Sequence, residues 1–196
     1  MRRREGNKEQ AILDAAVKVF AHSGYHNAKI TSIAEEAGVA TGSVYLYYPG
    51  KEAIILAIFD RIWKSLTDGI GATARRTDFT PEQKLERVID LMFDLFIVNP
   101  SLAAVFVNEQ DHLIQGRKGT VSRQFDQFLD LAEVIIREGV RKKQFNPQID
   151  LKLFRHFIVG GIRSLLRQWS AQPSTFPLNR IRQNIKAFVK HGVLIR

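Results

Sequence analysis

Apolar residues recur at helical spacing along almost the whole chain, and no stretch alternates apolar with polar over the length of a strand. That pattern restricts the chain to an all-α fold. Ile12, Ala15, Ala16, Val19 and Phe20 form one stripe, which Gly24 stops. Ile30, Ile33, Ala34 and Ala37 form a second, stopped by Gly38. A third short helix carries Val44, Tyr45 and Tyr48, with Thr41 expected as its cap, and Pro49-Gly50 ends it. A longer helix begins with Ile54, Ile55, Ile58, Phe59, Ile62, Trp63 and Leu66. Thr80-Pro81-Glu82-Gln83 reads as a cap with proline at the first helical position, before a stripe from Leu85 to Phe96. A short apolar helix is expected over 102–107 and a polar loop or frayed helix over 109–120. An amphipathic helix follows over 121–140. Asp150 opens the next, which runs to about Ala171, and Leu178, Ile181, Ile185, Phe188 and Val189 make the last stripe.

At 196 residues with 45% hydrophobic composition, the chain can bury a core of one domain or two small ones. It has no cysteine, which excludes disulfide scaffolds, Cys-ligated metal centres and thiol nucleophiles and fits a reducing cytoplasm. No apolar run approaches the roughly 18 residues of a membrane span. The net charge of +9 suits an anionic partner, but it is unevenly spread. Residues 1–64, 65–136 and 137–196 carry +2, −4 and +11.

Residues 30–48 have the layout of a helix-turn-helix. Ala34 is small enough for two helices to cross, and Gly38 can take the positive φ that a tight turn needs. Val39 and Val44 fill the angle between them. Gly42 leaves room for a DNA backbone, and Ser43, Tyr45 and Tyr47 can present hydroxyls to phosphates or base edges. An ordinary corner between two helices is the rival reading of the same spacing, which favours DNA binding. Spacing turns Tyr48 inward with Val44 and Tyr47 outward.

Ile12-Leu-Asp-Ala-Ala16, Phe20, Gly24-Tyr25, Ile33-Ala34-Glu35, Ala37-Gly38-Val39, Tyr45-Leu-Tyr-Tyr48 and Lys51-Glu52 resemble the N-terminal signature of the TetR family of bacterial transcriptional repressors, over about residues 8–64. The resemblance implies a three-helix DNA-binding domain (1–64), a helical ligand-binding and dimerisation domain (65–196), and a homodimer on operator DNA. It also implies that Thr31, Ser32, Thr41, Gly42, Ser43, Tyr45 and Tyr47 face DNA and that Lys51 contacts a phosphate. Arg2, Arg3 and Arg4 suit either a minor-groove arm or a solvated tail. Tyr48-Pro49-Gly50 departs from the family's usual Phe and polar residue, and the proline should only stiffen the turn.

In the second half, Asn99-Pro100-Ser-Leu-Ala-Ala-Val-Phe106, Ile135-Ile-Arg-Glu-Gly139, Phe145, Asp150, Gly160-Gly161 and Trp169 resemble the fatty-acid-degradation repressors, which respond to acyl-coenzyme A. Phe93, Phe96, Phe106, Phe125 and Phe128 supply aromatic volume that suits either a plain core or the wall of an acyl tunnel. The basic last third, including Arg137, Arg141, Lys142 and Lys143, suits the coenzyme's phosphates, a helix C-terminus or a solvated face. Gly160 and Gly161 each cost about 1 kcal/mol inside a helix, which a close helix contact would offset. With Ile181, Ile185 and Phe188 they are expected to form a four-helix dimer interface.

No cofactor or metal is expected, and no enzyme motif appears. His22 and His26 are separated by Gly24, and Glu109, Asp111 and His112 suit loop solvation or a polar ligand contact. Two rival readings remain: a nucleoid-bound regulator that recruits a protein partner, and an acyl-coenzyme A carrier or enzyme that ignores DNA.

Overall fold

Local signals set the helix ends in the computed structural model, which describes all residues except 1, 116–119, 173, 176, 195 and 196. Among the described residues there are nine helices: α1 (Arg2–Asn27), α2 (Ile30–Glu36), α3 (Thr41–Tyr47), α4 (Lys51–Ala74), α5 (Pro81–Ile97), α6 (Pro100–Gln115), α7 (Thr120–Arg141), α8 (Leu151–Ala171) and α9 (Leu178–Val193). Gly24 breaks α1 with φ 73°. Gly38 takes φ 66° in the turn between α2 and α3, a conformation that a side chain would strain. Thr80 and Gln83 form a reciprocal capping box that fixes the start of α5. Asp150 accepts from the Lys152 and Leu153 amides and starts α8. The only strand-like pairing among the described residues is a single bridge between Phe145 and Leu194.

Thr41 does not cap α3. The cap residue is Ala40, and Thr41 is the first helical residue with no capping bond from its side chain. Of the stretch expected as loop or frayed helix, α6 carries residues 109–115 as helix, and 116–119 lie outside the described residues. α6 packs against α1 and α8. α4 runs without a break through Lys64 to Ala74, so one helix joins the helix-turn-helix to the rest of the chain. No single described helix is long and apolar enough to cross a membrane.

The core is continuous. Ile12, Ala16 and Phe20 of α1 meet Ile33, Val44 and Tyr48 at one end. Farther along, Phe59 and Trp63 of α4 meet Phe96 and Phe106. The acidic middle and basic end of the sequence pair with each other across helix seams. Lys186 reaches Asp90 at 2.7 Å, Arg182 reaches Asp94 at 2.8 Å, and Lys190 pairs with Glu82, all between α9 and α5. Arg155 of α8 spans Asp126 and Asp130 of α7 at 3.1 and 3.6 Å. Four of the thirteen cations in residues 137–196, Arg155, Arg182, Lys186 and Lys190, are therefore engaged by carboxylates of a neighbouring helix.

Candidate functional site

The α2–α3 corner presents a polar surface on an apolar footing. Val44 is fully buried, and Ile33 and Ala34 pack beneath it. Thr31 and Ser32 stand exposed on the first turn of α2. Gly42 and Tyr45 are exposed on α3, with Thr41 and Ser43 half-buried beside them. Tyr48 turns inward as expected, and its hydroxyl donates to Glu9 at 3.0 Å. Burial and then this bond push the hydroxyl's pKa well above the ordinary tyrosine value, so it remains a donor. Tyr47 is half-buried and packs against the core, so it does not point wholly outward. Leu46, absent from the sequence reading, is 84% exposed beside Tyr45. Its signal was an apolar residue on an otherwise polar face, which offers a methyl surface for thymine. The side chains of Arg2, Arg3 and Arg4 lie outside the described residues.

Lys51 does not stand free to meet a phosphate. Its Nζ donates to the carbonyls of His26 at 2.6 Å, Tyr25 at 2.9 Å and Ala28 at 3.4 Å, and lies 4.9 Å from the Tyr25 ring. An ammonium has three donors, and all three are engaged. Lys51 clamps the start of α4 onto the C-terminal end of α1, where orphan carbonyls and the helix dipole favour a cation.

A small apolar cavity of about 70 Å³ lies between α5, α7 and α8. Leu85, Met92, Phe128, Phe154 and Ile158 help to line it, and Glu133 and Arg155 bring the charged groups. Of the five phenylalanines singled out in the sequence, only Phe128 borders this cavity. Phe93, Phe96 and Phe106 are buried elsewhere. Phe106 stacks on Phe59 at 5.8 Å and packs against Trp63 and Phe96. Phe125 meets Trp63 edge-on at 5.1 Å. Aromatic composition therefore reported filled core more than tunnel wall.

The expected dimer residues divide. Ile181 and Ile185 are only 7% and 6% exposed. α9 packs on α5 within the protomer, and both residues also line an open groove with Leu165 and Phe188, so each has little remaining surface to offer a partner. Phe188 is 71% exposed, and Phe157 and Leu153 on α8 are exposed too. A Cβ at Gly160 or Gly161 would touch nothing within the protomer. The side chains of Asp111 and His112 lie outside the described residues. Among the described residues no group of three His, Asp or Glu could hold a metal.

Comparison with known proteins agrees with this geometry. Residues 12–58 match the bacterial regulatory proteins of the tetR family, and residues 78–171 match the tetracyclin repressor-like C-terminal domain. The chain is 26% identical over 186 residues, 95% of either protein, to the fatty acid metabolism regulator protein of Bacillus subtilis. Its fold resembles that of the fatty acid degradation regulator FadR from Bacillus halodurans, with TM-score 0.80, 28% identity, and 93% and 94% of the two chains covered. FadR from Bacillus subtilis, solved in complex with stearoyl-CoA, gives TM-score 0.78 at 26% identity over 93% and 98% of the chains. The chain belongs to the TetR family of bacterial transcriptional regulators, non-enzymatic proteins that bind DNA through a helix-turn-helix and respond to a ligand.

Proposed function

We propose that the protein is a cytoplasmic, homodimeric repressor released from operator DNA by a long-chain acyl-coenzyme A. Residues 1–64 form its DNA-binding domain and 65–196 its effector and dimerisation domain. The observation that carries the effector reading is the apolar cavity between α5, α7 and α8, in a chain that aligns end to end with a regulator of fatty acid metabolism. A partly open apolar pocket with one charged edge favours a small-molecule sensor over a platform for a protein partner.

The cavity is smaller than the engineered 150 Å³ void that admits benzene. An acyl chain must therefore part α7 from α5 and α8 as it enters. That displacement is a source of coupling to α4, because α4 packs most extensively on α7. A coupling of about 1–3 kcal/mol is enough for release.

For the dimer, Leu153 and Phe157 lie one turn apart on α8, with Gly160 and Gly161 one turn further on. The glycines would let a partner helix approach closely, and Phe188 extends the apolar face onto α9. Two reading heads about 34–36 Å apart would then meet successive major grooves. Thr31, Ser32, Thr41, Gly42, Ser43, Tyr45 and Leu46 form each reading surface.

The test is operator release, followed by fluorescence anisotropy, with acyl-coenzyme A of rising chain length. Potency should climb with length, by at most about 0.8 kcal/mol per buried CH₂, until the enlarged cavity is full. A flat response to length would refute the acyl reading.

A further inference from the structure

Buried polar side-chain atoms in folded proteins nearly always have hydrogen-bond partners. Five among the described residues have none: Trp63 Nε1, Thr67 Oγ1, Gln110 Oε1, Gln124 Oε1 and Arg182 Nε. Arg182 is explained, because its guanidinium already pairs with Asp94 and Asp90. The other four are carried by the three helices of one seam, where α4 meets α6 and α7 around Trp63. Trp63 and Thr67 are one turn apart on α4. Gln124 of α7 is fixed to α4 by donating its Nε2 to Asp60 at 2.6 Å, which leaves its oxygen unused. Gln110 lies one turn beyond Phe106 on α6, and the Phe106 ring is 5.6 Å from that of Trp63. Trp63 is 1% exposed and Gln110 3%, so bulk water does not serve them.

We propose that this seam binds the amide-bearing polar arm of the effector. The proposal rests on the acyl-thioester reading above and adds how the head group is recognised. The chemistry follows from donor and acceptor types. An indole N–H can only donate, so Trp63 needs a carbonyl. A glutamine oxygen can only accept, so Gln110 and Gln124 need N–H or O–H groups. Thr67 serves either. A carboxylate would satisfy Trp63 and leave both glutamine oxygens facing a like-signed atom. A phosphate would be costly to desolvate in so apolar a surrounding. A chain of secondary amides offers both halves in alternation, and the pantetheine arm of an acyl-coenzyme A carries two such amides beside its thioester carbonyl.

The seam and the apolar cavity share a wall. Phe128 borders the cavity, and its ring lies 5.8 Å from that of Trp63. A ligand with its tail in the cavity passes Phe128 to place its amides in the seam. Its contacts with Trp63 and Thr67 then fall on α4, the helix that leads to the reading head.

The experiment uses the full-length protein labelled with ¹⁵N-tryptophan, which has two indole signals to follow, one from each tryptophan. The Trp63→Phe variant assigns them. The probes are palmitoyl-coenzyme A, S-palmitoyl-pantetheine and palmitic acid. Both thioesters should move the Trp63 indole proton downfield and release operator, whereas palmitic acid should do neither at matched concentration. Gln110→Met should weaken S-palmitoyl-pantetheine about 3–10-fold and leave palmitic acid unchanged. It should also leave the ligand-free melting temperature unchanged or higher, since it removes a buried oxygen with no partner. A Trp63 shift without operator release would support the seam and refute the effector reading. Release by all three probes alike, or an unmoved Trp63 signal with both thioesters, would overturn the seam. So would a marked loss of ligand-free stability in Gln110→Met, which would show that the oxygen is already satisfied.

Discussion

Replacing Lys51 separates two roles that the sequence confounds. In the structure its ammonium holds three backbone carbonyls at the end of α1, namely those of Tyr25, His26 and Ala28. Lys51→Met keeps most of the aliphatic stem and removes only the charge and donors. A hydrogen bond to a charged group contributes about 1.5–3 kcal/mol, but the three bonds share one ammonium and the freed carbonyls lie near enough to the surface to take water. The net cost should therefore be about 2 kcal/mol in total. For a chain of this size that corresponds to a fall of about 4–8 °C in melting temperature. Operator affinity should fall as well, because α4 and the reading head lose their fixed relation. A clamp and a phosphate contact differ in salt dependence. Removing a phosphate contact lowers the slope of log K against log salt by about 1 per site. Removing a clamp lowers affinity at every salt concentration and leaves the slope alone. The assay is fluorescence anisotropy across a salt series, paired with a thermal melt. A slope reduced by about 1 per protomer with an unchanged melting temperature would refute the clamp and restore the phosphate role.

Other substitutions test the packing. Lys84 is almost fully buried and donates to Glu138 at 2.8 Å and to the Ala74 carbonyl at 2.9 Å, so Lys84→Met should cost about 1–3 kcal/mol in a urea melt by unpairing that carbonyl, while Glu138 keeps its bond from Lys142. Hydrogen bonds from Lys142 and then Lys84 hold the Glu138 carboxyl below its ordinary pKa. Because the folded value is the lower one, its contribution is complete above the unfolded value and is lost as pH falls through the folded value. Stability should thus drop below about pH 4–5, and Glu138→Gln should flatten that part of the pH–stability curve. Gly139→Ala drives a Cβ into the fully buried Phe145 ring and should cost about 1–3 kcal/mol through forced displacement, read by calorimetry. Phe157→Asp should yield a folded monomer in sedimentation with an unchanged helical spectrum, whereas Ile185→Asp should fail to fold stably because it buries a carboxylate inside the protomer.

The sequence was most informative where a residue's role depends on its immediate neighbours along the chain. Gly38 must take a positive φ, Val44 must fill the angle beneath it, and Thr80 with Gln83 must cap α5. Each requirement is set within four residues and appears as expected. The clamp made by Lys51 left no trace in the sequence because its acceptors are backbone carbonyls more than twenty residues away, and backbone carbonyls carry no sequence signature. The burial of Ile181 and Ile185 was hidden for a related reason. Periodicity identifies the apolar face of α9 but cannot say whether α5 or a second protomer covers it. The phenylalanines revealed volume but not position, so a packed cluster around Trp63 resembled a tunnel. The unsatisfied oxygens of Gln110 and Gln124 left no trace in the sequence, because glutamine on an amphipathic helix ordinarily faces water.

Two lysines hold α4 at its ends, Lys51 as its first residue and Lys84 from α5 against its last, and give the helix a fulcrum. Lys84 grips the last residue, Ala74, and ties it through Glu138 to α7. Lys51, the first residue, grips α1 and carries the reading head with it. At 1.5 Å per residue, Ala74 lies about 17 Å from Trp63 and about 35 Å from Lys51. A sideways push applied at Trp63 is therefore doubled at the tip. A shift of about 1.5 Å beside the indole would reach the DNA-facing end as about 3 Å, nearly the 3.4 Å rise of one base pair. A helix this stiff needs no internal rearrangement to convert a sub-ångström-to-ångström adjustment in the effector domain into the loss of a groove register. Distances between spin labels at its midpoint and tip, referenced to α7, would read the twofold gain directly.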